Sequence, residues 1–169
     1  PSVNNYQPWK IYAITNRELL GKMAHEVKRT IEDIPENESI ASGNIKSQVE
    51  WFATFFEDAP ALIALSMEDY ESVLEKGVNL SHQDINKQRN FPDIQSVGAA
   101  VENILLTAVD MGYGACWLSG PMMAKKELER LIGIKEPFHL MAFVAVGIPA
   151  KDVKPKEKKS LDEIFELID

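Results

Sequence analysis

The sequence predicts one α+β domain in which helices cover both faces of a central sheet. Short apolar, β-prone runs alternate with segments of helical periodicity, so strands and helices interleave along the chain, but irregularly. That irregular order fits an α+β sheet better than a regular parallel βαβ array. The length of 169 residues and the hydrophobic content of 45% favour a single domain spanning residues 1–169.

The first strand and the first helix are predicted at the start of the chain. The run WKIYAI, residues 9–14, is apolar and β-prone, which favours a strand. Thr15-Asn16-Arg17-Glu18 follows with a capping-box pattern, which predicts that a helix begins there. The apolar face of that helix consists of Leu20, Met23, Val27 and Ile31.

A second helix and a second strand are predicted next. Residues 44–56 have helical periodicity, and the run ALIAL at 61–65 predicts a short buried strand, although periodicity alone does not exclude a helix. Residues 69–76 are expected to form a short helix, and 77–91 a long loop, a kind of segment that often acts as a lid. His82 and Phe91 either line a substrate pocket or belong to an ordinary loop. The apolar face of the second helix consists of Ile45, Val49, Phe52 and Phe56.

The second half of the chain contains the clearest helix, over residues 93–111. Its turn Gly98-Ala99-Ala100 is slim, so another backbone is expected to approach there. The run ACWL, residues 115–118, predicts a strand with Cys116 and Trp117 in the core, and a helix at 124–132 follows it. HLMAFVAV, residues 139–146, predicts a central strand. A second capping box, Ser160-Leu161-Asp162-Glu163, predicts a terminal helix with Leu161, Ile164, Phe165 and Ile168 on one face.

Composition excludes several classes of function. The formal net charge of −8 argues against nucleic acid as the main partner, and no apolar run approaches the roughly 20 residues of a membrane helix. With a single Cys116 and no signal-peptide pattern, we expect a cytoplasmic protein. Three isolated His and one Cys give no metal-ligand spacing, so no metal is expected. No phosphate-binding glycine loop, hydrolase elbow or catalytic triad is recognisable, so an enzyme with this sequence would depend on a cofactor.

The opening stretch PSVNNYQPW resembles the P-S-x-x-N-x-Q-P-W signature of the FMN-dependent nitroreductase family. Residues 93–120 are similar to the family's long interface helix and the strand after it, and 143–149 (FVAVGIP) to its apolar strand ending in Gly-x-Pro. Residues 127–134 and 156–163 also resemble family segments. The resemblance spans nearly the whole chain except 36–43 and 69–91.

This resemblance implies a nitroreductase-like fold, with a mostly antiparallel sheet, and a homodimer that binds FMN at its interface. The activity it implies is hydride transfer from NAD(P)H through the flavin, by a ping-pong mechanism, to a small electron-poor acceptor: a nitroaromatic, a quinone or another flavin. No side chain is then required as a catalytic acid or base. The alternatives are a non-catalytic homodimer of the same fold that binds flavin or another ligand, and a purely structural homodimer.

The cofactor-binding residues that the resemblance implies fall into three groups. Ser2 and Asn5, with Pro1 and Val3, would contact the flavin of the neighbouring chain; otherwise they form a capped turn before a strand. Leu118, Ser119 and Gly120 would place a strand end against the flavin ring; otherwise they form a tight turn before Pro121. Lys156 and Lys158 match a basic pair that meets the FMN phosphate; otherwise they belong to a solvated charge run.

Family members usually carry a helix and an Arg-Ser-x-Arg element before the opening motif, and these grip the FMN phosphate and ribityl chain. The present sequence starts after them, so the family's N-terminal helix is expected to be missing. Each charge-assisted hydrogen bond lost with them is worth about 1.5–3 kcal/mol, so weaker FMN binding is expected.

Overall fold

Four antiparallel strands form the central sheet of the computed structural model, which describes residues 1–35, 41–151 and 155–168. The spatial order is β1-β2-β4-β3, so β4 lies between β2 and β3 and pairs with both. The central strand predicted from HLMAFVAV is therefore confirmed. The strands are β1 (Trp9–Ile14), β2 (Ala61–Met67), β3 (Gly114–Leu118) and β4 (His139–Gly147).

Six α-helices accompany the sheet within the described residues, together with four short 3₁₀ turns. The helix predicted at 93–111 is confirmed, with its start at a proline that suits the first helical position. The α-helices are α1 (Arg17–Glu32), α2 (Ala41–Thr54), α3 (His82–Gln88), α4 (Pro92–Asp110), α5 (Lys125–Ile132) and α6 (Leu161–Ile164). The 3₁₀ turns are Val3–Asn5, Phe55–Asp58, Val73–Lys76 and Gly120–Ala124.

Apolar cores fill both faces of the sheet, as the predicted α+β architecture requires. On one face, α1 and α5 pack against Leu62 and Phe143 of the central strands. On the other face, Val97 and Val101 of α4 pack against Val144 and its neighbours. Because successive strand residues point to opposite faces, β2 and β4 need apolar side chains at nearly every position, which their sequences provide.

The ends of two helices differ from the predictions. The first helix is capped by Asn16, whose Oδ1 accepts the Leu19 N–H at 3.1 Å, so the box predicted from Thr15 is one residue out of place. At the C-terminus the predicted capping box does form, but α6 ends at Ile164 after a single turn. The four apolar side chains of the predicted face, two of them beyond α6, are all exposed, so no packing within the described residues supports a longer helix.

The predictions for residues 69–91 were wrong in two places. Residues 82–88 form α3, where a loop was expected, and Ser81 caps it by accepting the Asp84 N–H at 3.1 Å. The helix expected at 69–76 is only the 3₁₀ turn Val73–Lys76. Among the apolar residues of α3 only Ile85 is buried, and one buried apolar residue gives no period that a sequence pattern can detect.

Several apolar side chains of α2 and β3 are exposed in the single chain, although Cys116 and Trp117 were expected in the core. On α2, Ile45 is 58% exposed and Phe52 53%, and on β3 Trp117 is 48% exposed and Cys116 is exposed as well. Only Phe56 of the predicted apolar face is buried.

Gly98 lies against the Trp117 ring, whose Cη2 is 3.9 Å from the position of an added Cβ. Within the described ranges, each helix is too short or insufficiently apolar to cross a lipid bilayer.

Replacing Phe143 by Ala tests the core on the α1 face. Its ring is fully buried and stacks on Phe56 at a centroid distance of 6.3 Å. We expect Phe143→Ala to lower the free energy of unfolding by about 3–5 kcal/mol, measured by urea denaturation. The matched control, Ile148→Ala, changes a side chain that is 82% exposed, and it should have an effect within about 0.5 kcal/mol. Equal effects of the two substitutions would contradict the assigned core.

Candidate functional site

The opening stretch of the chain is bound to the start of α4 and the end of β2. The Val3 N–H donates to Ser96 Oγ at 3.0 Å, and the Glu68 N–H donates to the Pro8 carbonyl at 3.0 Å. The Asn4 side-chain amide donates to the Tyr70 hydroxyl. Hydrogen bonds of main chain and side chain therefore hold this stretch in one conformation before β1 begins.

Ser2 and Asn5 both take part in that turn. Ser2 Oγ accepts the Gln7 N–H at 3.0 Å, and the Asn5 side-chain oxygen accepts from Gln7 Nε2 at 3.3 Å. Asn5 and Gln7 have φ of 54° and 53°, in the left-handed region that Asn tolerates better than most residues. Pro1 and Asn5 are exposed, while Ser2 and Val3 are half-buried. These hydrogen bonds form the turn before β1 that was expected as the alternative to flavin contact. The Asn5 side chain remains exposed on its outer side.

A cleft of about 370 Å³ lies between α2 and the end of β3, and we call it the α2–β3 cleft. It contains all three predicted residues of the strand end: Leu118 is buried, Gly120 half-buried and Ser119 exposed. Neither Ser2 nor Asn5 of the same chain lines it. Apolar walls with a few polar groups are typical of sites for small organic ligands. The lining residues are Gln48, Val49, Phe52, Ala53, Phe55, Cys116, Trp117, Leu118, Ser119 and Gly120.

Gly120 is required by contact with α2 in the same chain. A Cβ at this position would lie 2.9 Å from Ala53 Cβ and 3.0 Å from Ala53 Cα, closer than carbon atoms pack. The absent side chain thus lets the strand end approach the helix backbone and closes one wall of the α2–β3 cleft.

Lys156 and Lys158 lie in the exposed segment before α6. Within the described part of the chain, neither ammonium group forms an ion pair. The fold of one chain therefore joins the three strand-end residues in one cleft, which neither the opening stretch nor the two lysines line.

A second cleft, of about 340 Å³, lies at the start of α4, and we call it the His82–Asp93 cleft. His82 and Phe91 both line it, which was one of the two alternatives left open by the sequence. The buried Asp93 accepts the Ile94 N–H and Asn86 Nδ2, each at 2.8 Å. The lining residues are Met67, Asp69, His82, Gln83, Asn86, Phe91, Asp93, Ile94, His139 and Met141.

Sequence reasoning named His82 but missed the acidic residues around it and His139. Glu75 accepts the Ser72 N–H at 2.6 Å and lies 3.1 Å from His82 Nδ1. The Ser72 N–H, more than His82, holds the pKa of Glu75 below its ordinary value. Asp69 and His139 join from other elements. These residues come from separate segments without a common motif, so no sequence pattern connects them.

The chain belongs to the nitroreductase family, because the model of that family, described as Nitroreductase family, matches residues 1–148. The match includes the opening stretch and the α2–β3 cleft, and the resemblance drawn from the sequence is thereby confirmed. The antiparallel sheet with helices on both faces is the fold of the solved structures that it resembles.

Three relatives define the range of the similarity. A BluB-like flavoprotein from Clostridium difficile 630 is 28% identical, with a TM-score of 0.88. The alignment covers 100% of this chain and 83% of the flavoprotein chain. A nitroreductase with bound FMN from Desulfitobacterium hafniense DCB-2 is 18% identical, with a TM-score of 0.70. The alignment covers 99% of this chain and 79% of the nitroreductase chain, and at this identity the likeness concerns the fold alone. A Haemophilus influenzae protein, to which NAD(P)H nitroreductase activity is ascribed, is 24% identical, covering 99% and 80%.

Replacing Gly120 by Ala tests the close approach of the strand end to α2. We expect Gly120→Ala to lower the free energy of unfolding by about 1–3 kcal/mol, because the added methyl group overlaps Ala53. Adding Ala53→Gly to that variant should recover part of the loss, since the nearest colliding atom is removed. The control Gly21→Ala lies on α1 with nothing within 4 Å of the new Cβ, and it should not destabilise the protein. A Gly120→Ala variant as stable as the parent would contradict this packing.

Proposed function

We propose that this protein is an FMN-dependent oxidoreductase that takes hydride from NAD(P)H and delivers it to a small electron-poor acceptor. The observation that carries the proposal is the α2–β3 cleft, formed by the strand end that the family resemblance assigns to the flavin ring. Membership of the nitroreductase family, the bound FMN of the Desulfitobacterium hafniense relative and the flavoprotein from Clostridium difficile support it.

The residues of the α2–β3 cleft suit a flat heteroaromatic ring. Apolar side chains, including Phe52, Phe55 and Trp117, provide walls that keep water from a ring face. The Gln48 amide and the Ser119 hydroxyl are the polar side chains that would bind heteroatoms at the ring edge. The apolar walls and the two polar side chains of the cleft therefore match a ring with apolar faces and polar atoms at its edge.

The bound flavin would supply the redox chemistry: it would accept hydride from NAD(P)H and, once the oxidised nicotinamide has left, pass the electrons to an acceptor at the same face. That acceptor would be a nitroaromatic, a quinone or another flavin. The chain itself would orient the ring through Leu118, Ser119 and Gly120, exclude water through the apolar wall, and provide backbone N–H donors at the strand end. Lys156 and Lys158 would neutralise the phosphate as point charges. No side chain needs to act as a general acid or base in this scheme.

A second copy of the chain completes the proposed site. The same α2 face that forms the cleft leaves Ile45, Trp51 and Phe52 exposed, beside Trp117 of β3. Contiguous exposed apolar surface of this kind marks an interface. In a two-fold dimer each copy would contribute the same surface, and the outward-facing Asn5, together with Ser2, would reach the flavin of the other copy.

Visible spectroscopy tests the cofactor and the activity together. Purified full-length protein, incubated with FMN and freed of excess ligand, should be yellow and should bleach on anaerobic addition of NADH or NADPH. Adding a quinone should restore the colour if the acceptor class is correct. Bound flavin that no nicotinamide reduces would favour the alternative, a ligand-binding dimer without turnover. A protein that takes up no flavin at all would contradict the proposal.

Replacing Phe52 by Asp tests the proposed interface. A charge placed in the exposed apolar face of α2 should convert the dimer to monomers and weaken FMN binding at least about tenfold, because burying an unpaired carboxylate costs more than about 1.4 kcal/mol. Sedimentation velocity and fluorescence titration with FMN measure the two effects. The control Val73→Asp places the same charge on another exposed apolar residue, in the 3₁₀ turn before α3. If Phe52→Asp sediments as the parent does, this interface is wrong.

A further inference from the structure

The His82–Asp93 cleft gathers metal-binding side chains from separate elements. Asp69 follows β2, His82 begins α3 and Asp93 lies in the first turn of α4, yet one ligand atom of each lies within 4.8 Å of the others. His139, the first residue of β4, extends the group, because its Nε2 is 3.8 Å from Asp69 Oδ1. Two carboxylates and two imidazoles thus converge on one cavity.

The His82 ring is oriented as a metal ligand usually is. Its Nδ1 lies 3.1 Å from both carboxylate oxygens of Glu75, which is itself fixed by the Ser72 N–H. With Nδ1 held by Glu75, Nε2 faces Asn86 Nδ2 at 3.0 Å, the amide that also donates to Asp93. Metal-ligating histidines commonly donate their other ring N–H to a carboxylate in this way, which fixes both the tautomer and the ring orientation.

Asp93 is a buried carboxylate without a basic partner. It is 2% exposed, and within residues 1–35, 41–151 and 155–168 it forms no ion pair with Lys or Arg. Asn86 Nδ2 instead serves two acceptors, Asp93 Oδ2 at 2.8 Å and His82 Nε2 at 3.0 Å. Buried charges in proteins are generally paired or coordinate metals. The Asn86 amide therefore occupies the lone pairs that a cation would take.

We propose that Asp69, His82, Asp93 and His139 bind one divalent transition-metal ion of the Zn²⁺ class. Imidazole and carboxylate are both ligands of Zn²⁺, which takes four of them in a tetrahedron. Bonds of about 2.0–2.1 Å place such ligands about 3.4 Å apart. The ligand atoms of Asp69, His82 and Asp93, now within 4.8 Å of one another, therefore approach by up to about 1.4 Å on binding, and His139 moves in from its place beside Asp69. Asp69 is the exposed member of the group, with His139 beside it, and its side chain can provide that movement.

Within one chain this site is distinct from the α2–β3 cleft, since the lining residues of the two clefts do not overlap. No metal was expected from the sequence, because the ligands are spread from position 69 to position 139 without a recognisable spacing. Asn86 is a competitor rather than a ligand in this scheme. Turning its amide away from Asp93 frees both lone pairs for the ion.

Metal titration of the full-length chain tests the site. Protein without an affinity tag is stripped with a chelator, dialysed, and titrated with Zn²⁺ by calorimetry and with Co²⁺ by visible spectroscopy. We expect one equivalent per chain, a rise in Tm with Zn²⁺, and Co²⁺ bands typical of a four-coordinate nitrogen and oxygen site. His82→Ala and Asp93→Asn should each weaken Zn²⁺ binding more than about tenfold, and the positioning change Glu75→Gln about tenfold.

The control is His25→Ala, which removes an exposed histidine of α1 outside the cleft and should bind Zn²⁺ as the parent does. If Asp93→Asn does not fold, as judged by circular dichroism, His139→Ala replaces it. Binding that is equally tight in His82→Ala and the parent, binding lost only in His25→Ala, or folded protein that takes up no metal would each overturn the proposal. Those results would leave the cluster as a hydrogen-bonded link between α3 and α4.

Discussion

The pairing of β4 with both of its neighbours is the constraint on which the rest of the structure depends. It sets Leu118, at the end of β3, opposite Phe143, and it sets Met67, at the end of β2, opposite His139. One strand therefore supplies side chains to both apolar cores and aligns the two strand ends that line the two clefts. A shift of one residue in either ladder would exchange the faces of the sheet and separate both sets of cleft residues.

Sequence patterns predicted most accurately the elements with a dense apolar run or a continuous apolar face. β1, β4 and α4 lie within about a residue of their predicted bounds, because such patterns leave few alternatives. The misses occurred at α3, which has one buried apolar residue, and at α6, whose apolar side chains are exposed in the described part of the chain. The strand end of the candidate flavin site was predictable through the family resemblance, whereas the His82–Asp93 cluster depends on tertiary contacts between distant segments.

The exposed apolar side chains of α2 and β3 have a common physical reason. Periodicity identifies a face that avoids water, but it does not tell whether that face packs inside the same chain or against another one. Trp117 was expected in the core, and Phe52 on the apolar face of its helix. Both are exposed in the single chain, on the same surface that contains the α2–β3 cleft. We interpret this surface as the place where a second copy and a flavin are bound together. The proposed function and the proposed dimer thus depend on one patch of the molecule.

The most direct measurement is sedimentation velocity of the protein with added FMN, followed at both the protein absorbance and the visible absorbance of the flavin. If two copies enclose the ring, the flavin signal should sediment with the dimer and be absent from any monomer boundary, and dilution should release FMN as the dimer dissociates. Flavin that sediments with a monomer, or a stable dimer that carries no flavin at saturating FMN, would contradict the account.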